Sequence, residues 1–201
     1  MKLYHSPASP FVRKVSVCAA ELGITLDRLP SAAHPINRDR TIVADNPLGQ
    51  VPTLLTDDGI ALYDSRVVCE YLDAQAGGGR LFPAPGPTRW KALVEQSLAD
   101  GLLDAGLLTR YEGVVRPAEK QSDEWRGGQL DKIHTSLDLL ERWAPGFGDR
   151  VDIGTITIGC ALGWLDFRFG DLGWRASRPA LAAWFERFGA RPSMAATRPA
   201  A

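Results

Sequence analysis

The first eighty residues of the chain repeatedly change the spacing of their hydrophobic positions. Lys2 to His5 is typical of a short strand, and Ser9 and Pro10 then suit the N-cap and the first position of a helix. Within that helix the apolar residues recur with helical spacing, at Phe11, Val15, Cys18 and Leu22. Gly23 follows, and glycine commonly closes a helix. The pattern predicts a strand that leads directly into an amphipathic helix.

The remainder of this segment predicts three further strands and another helix. Residues 25–29 form the second predicted strand, and a loop or irregular helix follows. Strands at 53–56 and 60–63 flank Asp57-Asp58-Gly59, a turn sequence typical of a β-hairpin. A helix then begins near Asp64. The predicted order is βαβ followed by ββα.

Strand patterns almost disappear in the second half of the chain. Apolar residues recur there with helical spacing in three stripes, at Trp90, Leu93, Val94, Leu98, Leu102, Ala105 and Leu108, at Leu130, Ile133, Leu137 and Leu140, and at Leu181, Trp184, Phe185 and Phe188. Residues 156–169 are apolar on almost every side, which predicts a helix at the centre of a bundle.

A break in composition divides the two patterns. Gly77-Gly78-Gly79 is followed by three prolines within a few residues, which is typical of a linker. We therefore predict an α/β domain over 1–77, a linker over 78–85 and an all-α helical domain over 86–201.

Composition and charge exclude several classes of protein. The chain is 45% hydrophobic and 23% charged, which is typical of a globular protein and excludes a disordered or fibrous chain. Its formal net charge of -1 provides no general attraction to nucleic acid or to an anionic membrane. We expect neither a signal peptide nor a membrane span.

The cysteines fit neither a disulfide framework nor a zinc site. They are odd in number, far apart and surrounded by apolar residues, at Cys18, Cys69 and Cys160. The three histidines also lack the spacing of metal ligands. We interpret the cysteines as buried thiols in a reducing cytoplasm, and we expect no metal.

Ser9 lies where the first strand is predicted to turn into a helix. The first N–H groups of a helix have no partner within it, and the helix dipole places about half a positive charge there. An anion is therefore favoured beside Ser9, whose hydroxyl could donate a further hydrogen bond. The simpler alternative is that Ser9 only caps the helix, which is worth about 1 kcal/mol.

Asp64 and Ser65 lie at the start of a second predicted helix, and their side chains are suited to bind a zwitterion. Free N–H groups and the Ser65 hydroxyl suit a carboxylate, and the Asp64 carboxylate suits an ammonium group. An ordinary N-cap explains the same two residues, and both interpretations can hold together.

Four motifs, in this order and spacing, resemble the glutathione S-transferase superfamily over essentially the whole chain. They are SPFVRK at 9–14 after a Lys-Leu-Tyr strand, NPLGQVPTL at 46–54, the Asp-Ser pair at 64–65 before EYL, and GWLDFR at 163–168. The chain looks closest to the small bacterial, YibF-like and serine-type members of the superfamily.

This resemblance implies a thioredoxin-like N-terminal domain, in which Ser9 and Val12 occupy the places of a Cys-x-x-Cys pair. Because neither place holds a sulfur, disulfide exchange by a protein thiol is excluded. The implied catalytic role of Ser9 is to stabilise the thiolate of glutathione, which is a co-substrate. Ser6, three residues earlier, is an alternative for this role, and Tyr4 is a weaker one.

The resemblance also implies a set of glutathione-binding residues. Pro52 follows a cis peptide bond in the family, which leaves the N–H and C=O of Val51 to pair with the cysteinyl backbone of glutathione. Gln50 is implied to lie near the glycyl carboxylate, where many relatives have lysine. Asp64 and Ser65 match the pair that holds the γ-glutamyl end. The alternative interpretation of Gln50 and Pro52 is an exposed glutamine beside a proline that begins a strand.

Other residues are candidates for lesser roles. Arg13 could reach a substrate carboxylate, although a position on a solvated face of the first helix is the preferred interpretation. The implied electrophile pocket lies between the domains, where Phe11, Arg110, Tyr111 and Trp164 are candidates alongside a purely structural interpretation.

One folding motif departs from the family pattern. Relatives carry a Ser/Thr-x-x-Asp capping box before the central helix, and here Asp152 and Thr155 exchange the two positions. We expect Asp152 to cap the helix and Thr155 to reach back less well than a carboxylate.

The function implied by the resemblance is a glutathione S-transferase that conjugates glutathione to a small electrophile in the interdomain cleft, as in detoxification. A cytoplasmic homodimer is implied, with no nucleic acid or membrane partner. Two other classes remain open. One is a non-catalytic interaction or regulatory protein of the superfamily, and the other is a glutathione-dependent reductase, dehalogenase or isomerase.

Overall fold

The computed structural model describes residues 1–199, which form two compact units. The first unit contains residues 1–92 and 191–199, and the second contains residues 93–190. The domain boundaries expected from the sequence, 1–77 and 86–201, stay a prediction.

The helices and strands are numbered here in chain order. They are β1 (Lys2–His5), α1 (Pro10–Leu22), β2 (Asp27–Pro30), α2 (Arg40–Asp45), β3 (Thr53–Leu55), β4 (Ala61–Leu62), α3 (Ser65–Gln75), α4 (Pro87–Val114), α5 (Asp123–Trp143), α6 (Ile153–Arg168), α7 (Trp174–Ser177), α8 (Pro179–Gly189) and α9 (Pro192–Ala195). Short 3-10 turns lie at Ala118–Lys120, Ala144–Gly146 and Gly170–Leu172.

The first unit is built on a four-stranded mixed sheet of order β2-β1-β3-β4. β1 is parallel to β2 and antiparallel to β3, and β3 is antiparallel to β4. Residues 87–199 contain helices and no strand. The predicted fold class, an α/β unit of βαβ-ββα order followed by an all-α unit, is therefore confirmed.

The ends of α1 follow directly from its sequence. The Ser9 side chain accepts a hydrogen bond from the N–H of Val12, and Pro10 occupies the first turn. Gly23 ends the helix with a φ of 73°, a left-handed conformation that glycine adopts without strain. The apolar face of α1 packs against α3. The N-cap at Ser9, the buried apolar face of α1 and the end of the helix at Gly23 agree with the prediction.

The segment between β2 and β3 contains one short helix, α2. The Asp39 carboxylate precedes it and accepts hydrogen bonds from the N–H groups of Ala32 and Thr41. The bond from Ala32 is the largest of the contributions that lower the pKa of Asp39. The predicted loop or irregular helix is therefore a capped turn of helix preceded by a loop.

The central helix of the second unit is α6, whose residues are buried almost all round. Asp152 accepts a hydrogen bond from the N–H of Thr155, and the Thr155 hydroxyl accepts one from the N–H of Asp152 at 3.1 Å. The Thr155 hydroxyl therefore completes the capping box, and its disadvantage relative to a carboxylate stays a prediction.

The predicted apolar stripe of α4 is only partly buried. Leu102 and Ala105 face the core, but Trp90, Val94 and Leu108 are 65%, 56% and 43% exposed. Much of the buried face of α4 consists instead of small residues, at Ala92, Ala99 and Ala105. The prediction was wrong at the three exposed positions because it weighted large apolar side chains over the alanines that allow close packing.

Candidate functional site

Three segments of the first unit meet at one edge of the sheet. β1 and β3 are antiparallel with Tyr4 opposite Thr53, so the residues after β1 and those before β3 lie at the same edge. Leu54 lies opposite Leu62 in the same way, so the residues after β4 lie there too. The register therefore brings together the segments that hold the predicted site residues Ser9, Val51, Pro52, Asp64 and Ser65.

Ser9 caps α1 and keeps a free donor. Its Oγ accepts the hydrogen bond from the N–H of Val12 at 3.3 Å, and its own N–H donates to the carbonyl of Ser6 at 3.1 Å. Within residues 1–199 the Ser9 hydroxyl has no acceptor. Since a hydroxyl can accept and donate at once, the cap leaves the proton of Ser9 available to an anion.

The two alternatives to Ser9 differ in their surroundings. The Tyr4 hydroxyl donates a hydrogen bond to Asp45 at 2.7 Å, and this bond is the main reason why the pKa of Tyr4 is raised to about 12. Tyr4 is also buried, in agreement with its packing in the sheet. The Ser6 hydroxyl makes no hydrogen bond within residues 1–199, so the choice between Ser6 and Ser9 stays open to experiment.

The peptide bond between Val51 and Pro52 is cis. Within the part of the chain that the structure describes, no hydrogen bond involves the N–H or C=O of Val51. Both groups are therefore available to an extended peptide, which can pair with them as an added strand does.

A bracket of two buried polar side chains holds this loop. The Thr53 hydroxyl donates to the carbonyl of Gln50 at 2.9 Å, and the Asn46 amide donates to the Thr53 oxygen at 2.9 Å. The Asn46 side-chain oxygen accepts from the N–H of Leu48 at 3.0 Å. Asn46 is 1% and Thr53 0% exposed. The Asn46–Thr53 bracket therefore fixes the backbone on both sides of Val51.

Asp64 and Ser65 form the start of α3. The Asp64 carboxylate accepts a hydrogen bond from the N–H of Arg66 at 2.8 Å, and its other oxygen lies 3.9 Å from the Arg66 guanidinium. Asp64 is exposed, whereas Ser65 is buried. The Ser65 hydroxyl has no hydrogen-bond partner within residues 1–199. The pair can therefore present a carboxylate and an unused hydroxyl donor to a ligand.

Comparison with known proteins identifies the family. Residues 3–80 match the family model of the glutathione S-transferase N-terminal domain, and residues 123–187 match that of the C-terminal domain. The chain is 38% identical to the uncharacterized GST-like protein YibF of Escherichia coli (strain K12), over 99% of this chain and 98% of that protein. The chain belongs to the glutathione S-transferase superfamily.

Solved structures of related transferases contain glutathione. A glutathione transferase family member from Pseudomonas fluorescens Pf-5 with bound glutathione is 45% identical, with a TM-score of 0.97, over 100% of this chain and 99% of that one. A second structure from the same organism holds S-(propanoic acid)-glutathione, at 44% identity and a TM-score of 0.92 over 99% of each chain. These relatives support glutathione as a ligand of this chain.

Two further candidate residues lie at or near the site segments. Gln50 has an exposed side chain, and its carbonyl is held by the Asn46–Thr53 bracket. The ring of Phe11 is half-buried and lies 5.8 Å from the Lys14 ammonium. Their roles toward glutathione or an electrophile stay predictions.

Arg13 does not lie on a solvated face. It is 6% exposed, and its Nη2 donates to the carbonyl of Met194 at 3.0 Å. Its Nε and Nη1 have no hydrogen-bond partner within residues 1–199. The solvated-face interpretation was wrong because residues 191–199 return to the first unit and α9 covers this side of α1.

Sequence reasoning missed the residues that hold the backbone around Gln50 and Val51. Asn46 and Thr53 were assigned only to a turn and to the start of a strand. The one available signal was that polar side chains flank Gln50-Val51-Pro52, and only the structure shows that they are buried and bonded to each other.

The cysteines and helices of the chain can be compared with the expectations from composition. Cys18, Cys69 and Cys160 are buried, as predicted, and form no disulfide within residues 1–199. Within residues 1–199 no group of metal-binding side chains is positioned to hold a metal ion. None of the helices in this part of the chain combines the length and hydrophobicity needed to span a bilayer.

Proposed function

We propose that the protein is a glutathione transferase that conjugates glutathione to a small electrophile. One observation carries the proposal: Ser9 uses its oxygen to cap α1 and has no acceptor for its proton within residues 1–199. A hydroxyl donor at a helix N-terminus is suited to a thiolate, because the dipole and the donor both favour negative charge.

The energetic demand on Ser9 is modest. A thiol with a pKa of about 8.5 is only a few per cent ionised at neutral pH, and lowering that pKa by two units needs about 2.7 kcal/mol. A hydrogen bond to a charged group contributes about 1.5–3 kcal/mol, and the helix dipole adds up to about 1 kcal/mol. Ser9 and the first turn of α1 can therefore supply the stabilisation.

The proposed binding residues match the three parts of glutathione. The free N–H and C=O of Val51, next to Pro52, pair with the cysteinyl backbone. Asp64 receives the α-ammonium and Ser65 the α-carboxylate of the γ-glutamyl end. Gln50 contributes a neutral hydrogen bond to the glycyl carboxylate and therefore less affinity than a lysine would.

The proposed reaction is attack of the bound thiolate on a small electrophile. The P. fluorescens relative binds a conjugate in which propanoic acid is attached to the glutathione sulfur. A small electrophile carrying an acid group is therefore a suitable first substrate class to test. Three buried cysteines that form no disulfide support action in a reducing compartment such as the cytoplasm.

We also propose that the transferase is a homodimer. Val67 on α3 is 47% exposed and Trp90 on α4 is 65% exposed. Between them, Arg89 is ion-paired with Glu70 at 2.5 Å, so α3 and α4 present one continuous surface. Large apolar side chains on a surface of this kind are typical of a protein interface.

Calorimetry with glutathione tests the proposal, together with product analysis by mass spectrometry after incubation with chlorodinitrobenzene. We expect saturable binding, a rise in melting temperature at millimolar glutathione, and a glutathione conjugate as product. Absence of binding would contradict the enzyme and favour a non-catalytic interaction protein. Binding without a conjugate, but with glutathione disulfide formed from a peroxide, would favour the reductase alternative.

A further inference from the structure

A surface pocket of about 340 Å³ lies at the start of α5, within the second unit. This volume is in the usual range of sites for small molecules. Every residue that lines the pocket belongs to α5 or is its N-cap: Ser122, Glu124, Trp125, Gly128, Gln129 and Lys132. The pocket therefore shares no residue with the segments that hold Ser9, Val51 and Asp64.

Gly128 lies at the base of a notch between Trp125 and Lys132. The three residues are spaced three and four apart, so they lie along one side of the helix. Apart from its chain neighbours and the backbone of its own helix, a Cβ added to Gly128 would meet no atom within 4 Å. Neither crowding nor a positive φ requires glycine here, and glycine weakens a helix interior relative to alanine. The notch therefore leaves room for a molecule from outside the chain.

A buried amide with an unused donor lines the inner side of the notch. Gln129 is 4% exposed, and its Oε1 accepts a hydrogen bond from the Lys132 ammonium at 3.2 Å. That bond assigns the oxygen of the amide and leaves Nε2 as the donor. Within residues 1–199 Nε2 has no acceptor, although protein atoms do not fully enclose it. An acceptor in the pocket would satisfy this amide, which is otherwise costly to bury.

The charges of the pocket favour one anionic group beside Gln129. The Lys132 ammonium has three donors, uses one for Gln129 and has no acidic partner within residues 1–199. The Ser122 oxygen is already occupied by the N–H of Trp125 at 3.1 Å. Glu124 is the acidic residue of the lining, and it lies eight residues from Lys132, about 12 Å along the helix. A ligand with one carboxylate can therefore bind Lys132 at a distance from Glu124, whereas a second carboxylate would be repelled.

Trp125 gives the notch a flat apolar wall. Its side chain is 50% exposed and makes no ring contact within residues 1–199. An aromatic face that is open to solvent is suited to stack on a planar ring. The wall and the two donors together select a flat molecule with an acceptor at one end.

We propose that this pocket binds a small planar monocarboxylate, with its ring against Trp125 and its carboxylate between the Lys132 ammonium and Gln129 Nε2. Binding is non-covalent, and no bond of the ligand changes. The site is additional to the proposed transferase function and does not depend on it.

Calorimetry with 2-naphthoate tests the site, and 2-naphthamide is the neutral ligand of the same shape. We expect saturable binding of the naphthoate and about tenfold weaker binding of the amide, because the charge-assisted hydrogen bond is lost. Lys132→Gln should remove this preference, and high salt should reduce it in the wild-type protein. Equal binding of the two ligands to wild type would overturn the proposal.

Gly128→Leu fills the notch without weakening the helix. Leucine is a better helix former than glycine, so the melting temperature should rise while the affinity for 2-naphthoate falls at least tenfold. Gly127→Leu is the matched control, because Gly127 is also exposed, also has open space around it, and does not line the pocket. It should raise the melting temperature in the same way and keep the affinity within about twofold.

The variants and the wild-type protein give a clear decision. Binding that is lost in Gly128→Leu and retained in Gly127→Leu supports the site at the notch. No binding to wild type, unchanged binding in Gly128→Leu, or equal losses in both variants overturns it. A protein that binds 2-naphthoate in this way but does not bind glutathione would keep the pocket and lose the transferase, and the reverse result would do the opposite.

Discussion

The side chain of Ser9 serves the fold and the proposed chemistry through different atoms. Its oxygen lone pair accepts from the N–H of Val12, which stabilises the first turn of α1. Its proton has no acceptor within residues 1–199 and remains available to a ligand thiolate. Tyr4 has no such freedom, because its proton is bonded to Asp45 and its pKa is raised to about 12.

Variants at Ser9 can separate the two roles. Ser9→Ala should lower kcat with chlorodinitrobenzene at least tenfold, because the thiolate loses about 1.5–3 kcal/mol of stabilisation, with little change in glutathione affinity. The pKa of the bound thiol, followed by thiolate absorbance against pH, should rise in the variant.

Ser9→Asp is the matched control, because aspartate caps a helix as well as serine but donates no hydrogen bond at neutral pH. It should keep the melting temperature of wild type and lose activity. Full activity in Ser9→Ala together with loss in Ser6→Ala would transfer the role to Ser6.

At the scale of the element, a loop pairs well with an extended ligand when its own backbone is held in one conformation. The Asn46–Thr53 bracket does this for the Val51 loop, since it occupies the carbonyl of Gln50 and leaves the groups of Val51 free. Neither bracket residue needs to contact glutathione for this effect.

Thr53→Val tests the bracket with almost no change in shape. We expect the dissociation constant for glutathione to rise about fivefold, because one net hydrogen bond is worth about 1 kcal/mol. The kcat at saturating glutathione should stay within about twofold, and Thr53→Ser should restore the affinity.

Thr56→Val is the control for stability. The Thr56 hydroxyl is bonded to Ile60 at the turn between β3 and β4, and Thr56 is likewise buried. Equal losses of glutathione affinity in Thr53→Val and Thr56→Val would contradict a positioning role for the bracket.

A second interaction between elements joins α9 to α1. The Glu21 carboxylate accepts hydrogen bonds from the Arg191 guanidinium at 2.9 and 3.1 Å and from the Ser193 hydroxyl. Burial alone would raise the pKa of Glu21, but the bonds from Arg191 and Ser193 outweigh it and lower this pKa.

The stability contributed by Glu21 should therefore depend on pH. Because its pKa is lower in the folded state, the contribution is present above the unfolded value of about 4.5 and is lost as the pH falls through the folded pKa. Glu21→Gln should melt below wild type at pH 7, and the difference should shrink between about pH 5 and pH 3. A difference in melting temperature that is constant over this range would contradict the assignment.

At the scale of the whole molecule, the exposed apolar face of α3 and α4 predicts self-association. Trp90→Glu should convert a dimer into a monomer in sedimentation equilibrium, because a charge would replace a large apolar side chain in the interface. Trp125→Glu is the matched control, since Trp125 on α5 is also half exposed, at 50%. A wild-type monomer, or dissociation by both variants alike, would contradict the proposed interface.

Local sequence rules predicted most of the architecture. Caps and stops such as Ser9, Gly23 and Asp64 act within a few residues of themselves, so the boundaries of α1 and α3 agree with expectation. The all-round apolar stretch likewise predicted α6 as a central helix, because such a helix must be surrounded by others.

What the sequence could not decide depends on contacts between distant residues. The exposure of Trp90, the burial of Arg13 against Met194, and the Asn46–Thr53 bracket each depend on which segments pack together. Local propensity determined the elements and the candidate chemistry of this protein, whereas packing decided which polar and charged groups were left for a ligand.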